Sequence, residues 1–320
     1  MRSPQLLAPL LLLALPGQGD AMQTEPSVSS VSIADPATYW SRGGFAPMTP
    51  PIRLPSRDGR EQILVWLRIP GDARIDVVPG ATGHPTLAYP PGTVADRVDM
   101  NVGEDPRSIH DVRGTRFQAG GEWFHVLRRL DGGVALRGLE WPRDGDQAGR
   151  AATASMVEQL GRAGSAAESS LFAAQNDCAF CHVHGKSERR RMRAMPDEPP
   201  PNRSTDASGL YTVSSVLLDG APVEMHRARD MNADDPYVTV TCSDGQAADL
   251  RTAGVRRGFV CADGSVPYAT LDMRRALADG DAHARAVCDS RAYLWRHMAS
   301  EGRAAFAAAF DECVSPRLPP

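Results

Sequence analysis

The chain has 320 residues, of which 42% are hydrophobic and 23% charged, and its formal net charge is -4. Charges of both signs are scattered along it, which argues against a nucleic-acid binder built on a basic face. The length suits one large or two ordinary domains, and the frequent Gly and Pro forecast long loops.

Arg2 precedes an apolar run, Leu6 to Leu15, followed by small and polar residues with Ala21 as a cleavage edge. This is the pattern of a secretory signal peptide over 1–21. The run is shorter than the roughly 20 apolar residues that cross a bilayer, and no later segment is longer. The expectation is an exported chain, periplasmic or secreted, with no transmembrane anchor.

Residues 22–58 are rich in Ser, Pro and Thr and read as an irregular segment. Strand patterns begin at Arg60 with "QILVWLRIP". "ARIDVVPG", "TVADRVDMNV", "IHDVRGTRF", "EWFHVLRRL" and "GVALRGLEW" follow, punctuated by Gly, Pro and Asp. Asp131-Gly132 carries a hairpin signal. Short strands at this spacing predict a small β-sandwich or barrel over 59–146, ending near Trp141-Pro142.

Residues 147–177 are Ala-rich and lack Pro, so a helix is expected, interrupted near Gly161 to Gly164. The Pro-rich stretch "MPDEPPPNRSTDASG" excludes regular structure. Strand candidates "LYTVSSVLL" and "YVTVTC" come next. The C-terminal part carries two helical stripes: Ala284, Val287, Cys288, Arg291, Leu294, Trp295 and Met298, then Ala305, Phe306, Ala309, Phe310 and Cys313. Ser300 to Gly302 is the expected turn. The predicted class is α+β, a β-rich N-terminal domain followed by a mostly helical, disulfide-stapled region over 147–320.

Within that region stands "NDCAFCHVHG". On a helical turn Cys178, Cys181 and His182 fall at i, i+3 and i+4 and share one face. Cys-x-x-Cys-His is the attachment pattern of c-type haem. Two thiols add across the haem vinyl groups, and the histidine takes the proximal position on the iron. A zinc site using Cys178, Cys181, His182 and His184 is a rival, but ligands this close seldom close a tetrahedron. A thiol redox pair is the other rival. It belongs at a helix start after a strand, and the residues before Cys178 read as helix.

The stretch "LFAAQNDCAFCHVHG" resembles the haem-attachment helix of the c-type cytochromes. The resemblance implies one covalent haem on Cys178 and Cys181, with His182 as proximal ligand. A second resemblance concerns "YPPGTVADRVDMNV", the strand-rich region after it and the Cys-x-x-Cys-His beyond. This order is similar to the cytochrome P460 and cytochrome c′-β group, which implies a β-rich haem protein.

The sixth iron ligand separates electron transfer from chemistry at an open site. Met225 in "PVEMHRARDMN" is the first candidate, with Met231, Met195 and His226 behind it. Residues 186–193, "KSERRRMR", would steer an acidic redox partner or pair with haem propionates, unless they are simply a solvated helix face. Asp230, Asn232, Asp234 and Asp235 could ligate calcium, but they lack the EF-hand pattern and read as a capped turn. The expected function is one-electron transfer with an unidentified redox partner protein. A haem enzyme or gas-binding protein with an open distal site is the alternative, and an interaction protein whose haem reports redox state is a third class.

Export also predicts that spare cysteines pair. Cys288 and Cys313 lie on the apolar stripes of two antiparallel helices, at equal heights about the turn. Cys242 ends one strand-like run and Cys261 follows another. The expected bonds are Cys242–Cys261 and Cys288–Cys313.

Overall fold

A computed structural model of the chain describes residues 28–51, 61–79, 85–101, 109–119, 121–130, 132–142, 146–167, 169, 223–224, 235–242, 244–253, 256–264 and 267–314. The first nine strands are β1 (Ser29–Ile33), β2 (Ala46–Met48), β3 (Glu61–Arg68), β4 (Asp76–Pro79), β5 (Pro85–Ala88), β6 (Val94–Asn101), β7 (Ile109–Gln118), β8 (Gly121–Arg129) and β9 (Leu136–Pro142). Helix α1 (Pro36–Arg42) joins β1 to β2, and α2 (Asp146–Arg162) follows β9. Seven strands form one sheet in the order β1-β9-β8-β7-β6-β3-β2, antiparallel throughout. β4 and β5 make a separate two-stranded ladder.

Two expectations are corrected. The segment expected to be irregular supplies β1, α1 and β2, the two edge strands and the link between them. The sandwich or barrel is instead a single sheet covered on both faces. The burial pattern explains this: Phe124 to Arg128 of β8 are buried without a break, so both pleat faces are occupied.

One face packs against α1, in a cluster of Ile33, Trp40, Phe45, Val94, Val98, Ile109, Val112, Leu127 and Leu136. The other face has two covers. Over β8 and β9, Phe124, Val126, Leu139 and Trp141 meet Ala148, Ala152, Met156 and Leu160 of α2. These four helical residues recur every fourth position, which keeps them on one stripe. α2 stops where expected, at Gly164 in the left-handed region (φ 80°).

β8 and β9 form a hairpin, but the connection is longer than a two-residue turn, because Arg129 pairs in register with Leu136. The Arg129 guanidinium donates to the carbonyls of Gly133 (2.8 Å) and Val134 (2.9 Å) and holds the loop closed.

The C-terminal region contributes β10 (Val223–Glu224), β11 (Val238–Thr241), β12 (Asp249–Ala253), β13 (Arg256–Val260) and β14 (Tyr268–Leu271). They form a β10-β14-β11 sheet and a β12-β13 hairpin. Helices α3 (Met273–Ala278), α4 (Ala282–His297), α5 (Ser300–Arg303) and α6 (Ala307–Val314) follow, with a 3₁₀ turn at Ala304–Phe306. Asp272 and Asp281 cap α3 and α4 by accepting from the amides of Arg275 and Ala284. The predicted strand "YVTVTC" is β11; "LYTVSSVLL" lies outside the described residues.

α4 buries Ala284, Val287, Cys288, Arg291 and Leu294 of the predicted stripe, Met298 is buried just past its end, and Trp295 is only half-buried. Leu294, Met298 and Phe306 share a core with Met48, Val65 and Leu67 of β2 and β3. Helices and sheet therefore close one interior on this side. Ser290 Oγ accepts from the Thr49 amide at 2.9 Å and faces the carbonyls of Pro47 and Ala286.

The turn after α4 falls at Met298-Ala299, earlier than expected, and Ser300–Arg303 is a helical turn. The cause is a backbone bridge to Ile75. Its amide donates to His297 O at 2.7 Å and its carbonyl accepts from Ala299 at 3.0 Å, which pulls residues 298 and 299 into extended conformation.

Candidate functional sites

Cys178, Cys181, His182, His184, Met195, Met225, His226 and Met231 all lie outside the described residues, as do residues 186–193, Asp230, Asn232 and Asp234. The described residues frame them in sequence. Ser169, beyond α2, precedes Cys178 by nine positions, and β10 ends at Glu224, immediately before Met225. β10 pairs with β14 through Val223–Ala269 and Glu224–Tyr268. Asp235 caps a turn, its Oδ1 accepting from the Tyr237 amide at 2.9 Å.

Both disulfides are formed. Cys242–Cys261 has Cα atoms 5.7 Å apart and Cys288–Cys313 has them 5.4 Å apart, within ordinary disulfide spacing. The route to the first differs from a simple hairpin. Cys242 opens a turn after β11, with Gly245 N–H bonded back to its carbonyl, while Cys261 follows β13. The bond thus anchors the base of the β12-β13 hairpin. The second joins α4 to α6, with Trp295 stacked on Phe310 at 4.2 Å between ring centroids. Four of the six cysteines are therefore committed, and the two outside these bonds are Cys178 and Cys181.

Two buried polar clusters escaped sequence reasoning. Beneath α1, Asp96 on β6 accepts from Trp40 Nε1 at 2.9 Å through one oxygen and lies 2.8 Å from His125 Nε2 through the other. His125 and Asp96 are 2% and 1% exposed, so the carboxylate is satisfied by protein groups rather than by water. Among the described residues, His125 Nδ1 has no hydrogen-bond partner. Burial and then the Asp96 charge raise the nearby Tyr39 hydroxyl above the ordinary phenol range. Glu140, opposite His125 on β9, is 3.9 Å from Arg116.

On the other face, Arg97 and Asp99 of β6 sit opposite Arg113 and Asp111 of β7, and Arg128 of β8 faces Asp111. Arg113 grips Asp111 through Nε and Nη2, the latter at 2.6 Å, with Arg128 3.9 Å away. Burial alone would raise the Asp111 carboxyl. The Arg113 guanidinium, backed by Arg128 and Arg97, outweighs it and holds the carboxyl below the usual carboxylate range. The sequence signal was charges at alternate positions, Arg97-x-Asp99 and Asp111-x-Arg113, which puts both charges of each strand on one pleat face. Among the described residues no group of three or more metal-ligating side chains converges, and no helix is long and apolar enough to cross a membrane.

No protein-family model matches the chain, and neither a curated protein nor a solved structure is similar to it. The reading of its function therefore stands on its own residues.

Proposed function

We propose that the protein is an exported monohaem c-type cytochrome that transfers single electrons, with the haem attached through Cys178 and Cys181 and held at the iron by His182. The observation that carries this reading is the division of the cysteines. Four are closed into two disulfides, and the two left over are those of the Cys-x-x-Cys-His motif. The donor set that remains, two thiols and an adjacent imidazole, is the one covalent haem requires.

Two structural disulfides also fit an oxidising compartment, as the apolar leader over 1–21 requires. When bound, haem supplies a one-electron iron couple whose potential follows the axial ligands. Cys178 and Cys181 would hold the haem covalently, and His182 and Met225 would bind its iron. The partner is a redox protein.

A second reading, a haem enzyme or gas-binding protein with an open distal site, is favoured by the seven-stranded antiparallel sheet that precedes the motif. A β-rich region ahead of a Cys-x-x-Cys-His resembles the order expected of the cytochrome P460 and cytochrome c′-β group. Protein expressed with a haem-attachment system should keep its haem through acid–acetone extraction, and Cys181→Ala should lose most of it. Haem that extracts freely overturns the reading. In loaded protein, a sharp reduced band that carbon monoxide leaves unshifted identifies electron transfer, and a carbon-monoxide-sensitive high-spin spectrum identifies the open-site alternative.

A further inference from the structure

The bond between α4 and α6 has a cation beside it. Arg291 stands one turn beyond Cys288 on α4 and is almost completely buried. Its Nη1 lies 3.8 Å from Cys313 Sγ and 3.3 Å from Glu312 Oε2. A buried guanidinium at this range favours a thiolate over a neutral sulfur, because little solvent screens the interaction. Glu312 offsets part of that field. Both side chains therefore act on how readily Cys313 carries negative charge.

We propose that Cys288–Cys313 is a redox-responsive bond, opened by a dithiol reductant with Cys313 as the leaving thiolate, and that opening it releases α6 from α4. In the first step a thiolate of the reductant attacks Cys288 Sγ. The S–S bond breaks with its electron pair passing to Cys313, and a mixed disulfide forms at Cys288. In the second step the reductant's other thiolate attacks its own sulfur in that mixed disulfide, and Cys288 leaves as a thiolate. The protein gains two electrons and takes up two protons, and the reductant becomes a disulfide. A better-stabilised leaving thiolate speeds the first step.

Both sulfurs are buried, so attack requires α6 to open locally. Its eight residues are too few to hold a helix without packing. The covalent tie holds it to α4, together with the Arg291–Glu312 ion pair and the Trp295–Phe310 stack. Release of α6 would uncover Ala284, Val287 and Cys288, which now share a buried cluster with Cys313.

The test is graded reduction of the oxidised full chain with dithiothreitol, trapping with a maleimide, and peptide mapping of each cysteine. Cys288 and Cys313 should be labelled about tenfold faster than Cys242 and Cys261. Glu312→Gln, which removes the offsetting charge, should speed their labelling several-fold, and Arg291→Met should slow it by about tenfold. Amide exchange over residues 307–314 of the oxidised variants separates electrostatics from loosening. The proposal holds where the Glu312→Gln rate rises with exchange unchanged, and fails where exchange rises in step with it. Equal labelling of both bonds, earlier opening of Cys242–Cys261, or an unchanged rate in Glu312→Gln overturns it.

Discussion

His125 Nε2 lies 2.8 Å from Asp96 Oδ1, although His125 is on β8 and Asp96 on β6, with β7 between them. The contact crosses a whole strand because the intervening register position is Gly114, paired with Asp96 on one side and His125 on the other. A Cβ at Gly114 would stand 2.3 Å from His125 Nε2 and 2.6 Å from the Ala95 carbonyl. Gly114→Ala should therefore destabilise the fold by about 1–3 kcal/mol through overpacking. Urea unfolding checks it; an unchanged midpoint would mean that the imidazole has room to move.

Asp96 satisfies groups from two other elements, Trp40 on α1 and His125 on β8. Asp96→Ala strands both, each loss worth about 1–3 kcal/mol. The expected outcome is a lower Tm, together with a red-shifted, more quenchable Trp40 fluorescence component as α1 loosens. Trp40→Phe, which strands only one carboxylate oxygen, should cost less than Asp96→Ala.

Asp111 couples stability to acid. Its carboxyl is held below the ordinary range when folded, and the unfolded value is about 3.9. The folded state thus binds this proton less readily than the unfolded state. The stabilisation is complete above pH ~4 and is lost as pH falls through the folded value. Asp111→Asn should lower stability at pH 7 by about 1.5–3 kcal/mol, since the charge-assisted hydrogen bonds from Arg113 lose their anionic acceptor, and should flatten the acid limb of a stability–pH curve. An acid limb as steep as that of the wild type would assign it to other carboxyls.

Ser290 on α4 joins the helix to the edge of the sheet through Thr49 and Pro47. Ser290→Ala leaves a backbone amide and a carbonyl without that partner, at a cost of about 1–2 kcal/mol. Amide exchange at Thr49 should accelerate before exchange in the sheet centre does.

Met225 is the proposed sixth ligand of the haem iron. Met225→Ala in the loaded protein should turn a low-spin optical spectrum high-spin and lower the reduction potential. An unchanged spectrum moves the assignment to Met231, Met195 or His226, or leaves the site open.

The central strands were legible because their apolar residues recur in runs and alternations that only a half- or fully buried pleat explains. The quoted stretches contain β6 completely and β3, β7, β8 and β9 to within one residue at one end. β1 and β2 were not legible. "SSVSI" and "APM" carry too little apolar pattern to stand out, and they are strands because the sheet edges at β9 and β3 offer them hydrogen bonds. The turn after α4 was displaced for a similar reason, since the partner that extends Met298 and Ala299 is Ile75, far away in the chain.

The sequence by itself determined the strand-rich first half, the helices α2 and α4, the four cysteines available to pair and the Cys-x-x-Cys-His pattern, because each is a local matter of periodicity, spacing or composition. Only the tertiary structure decided that the strands form one sheet covered on both faces, that Asp96 gathers Trp40 and His125, that Asp111 gathers Arg113 and Arg128, and that Arg291 stands beside Cys313. The physical reason is that a buried charge or polar atom takes its meaning from its partners. Trp40 and Asp96 are 56 residues apart, and Asp96 and His125 are 29 apart. Strand order and register bring them together, and neither is written in any one segment.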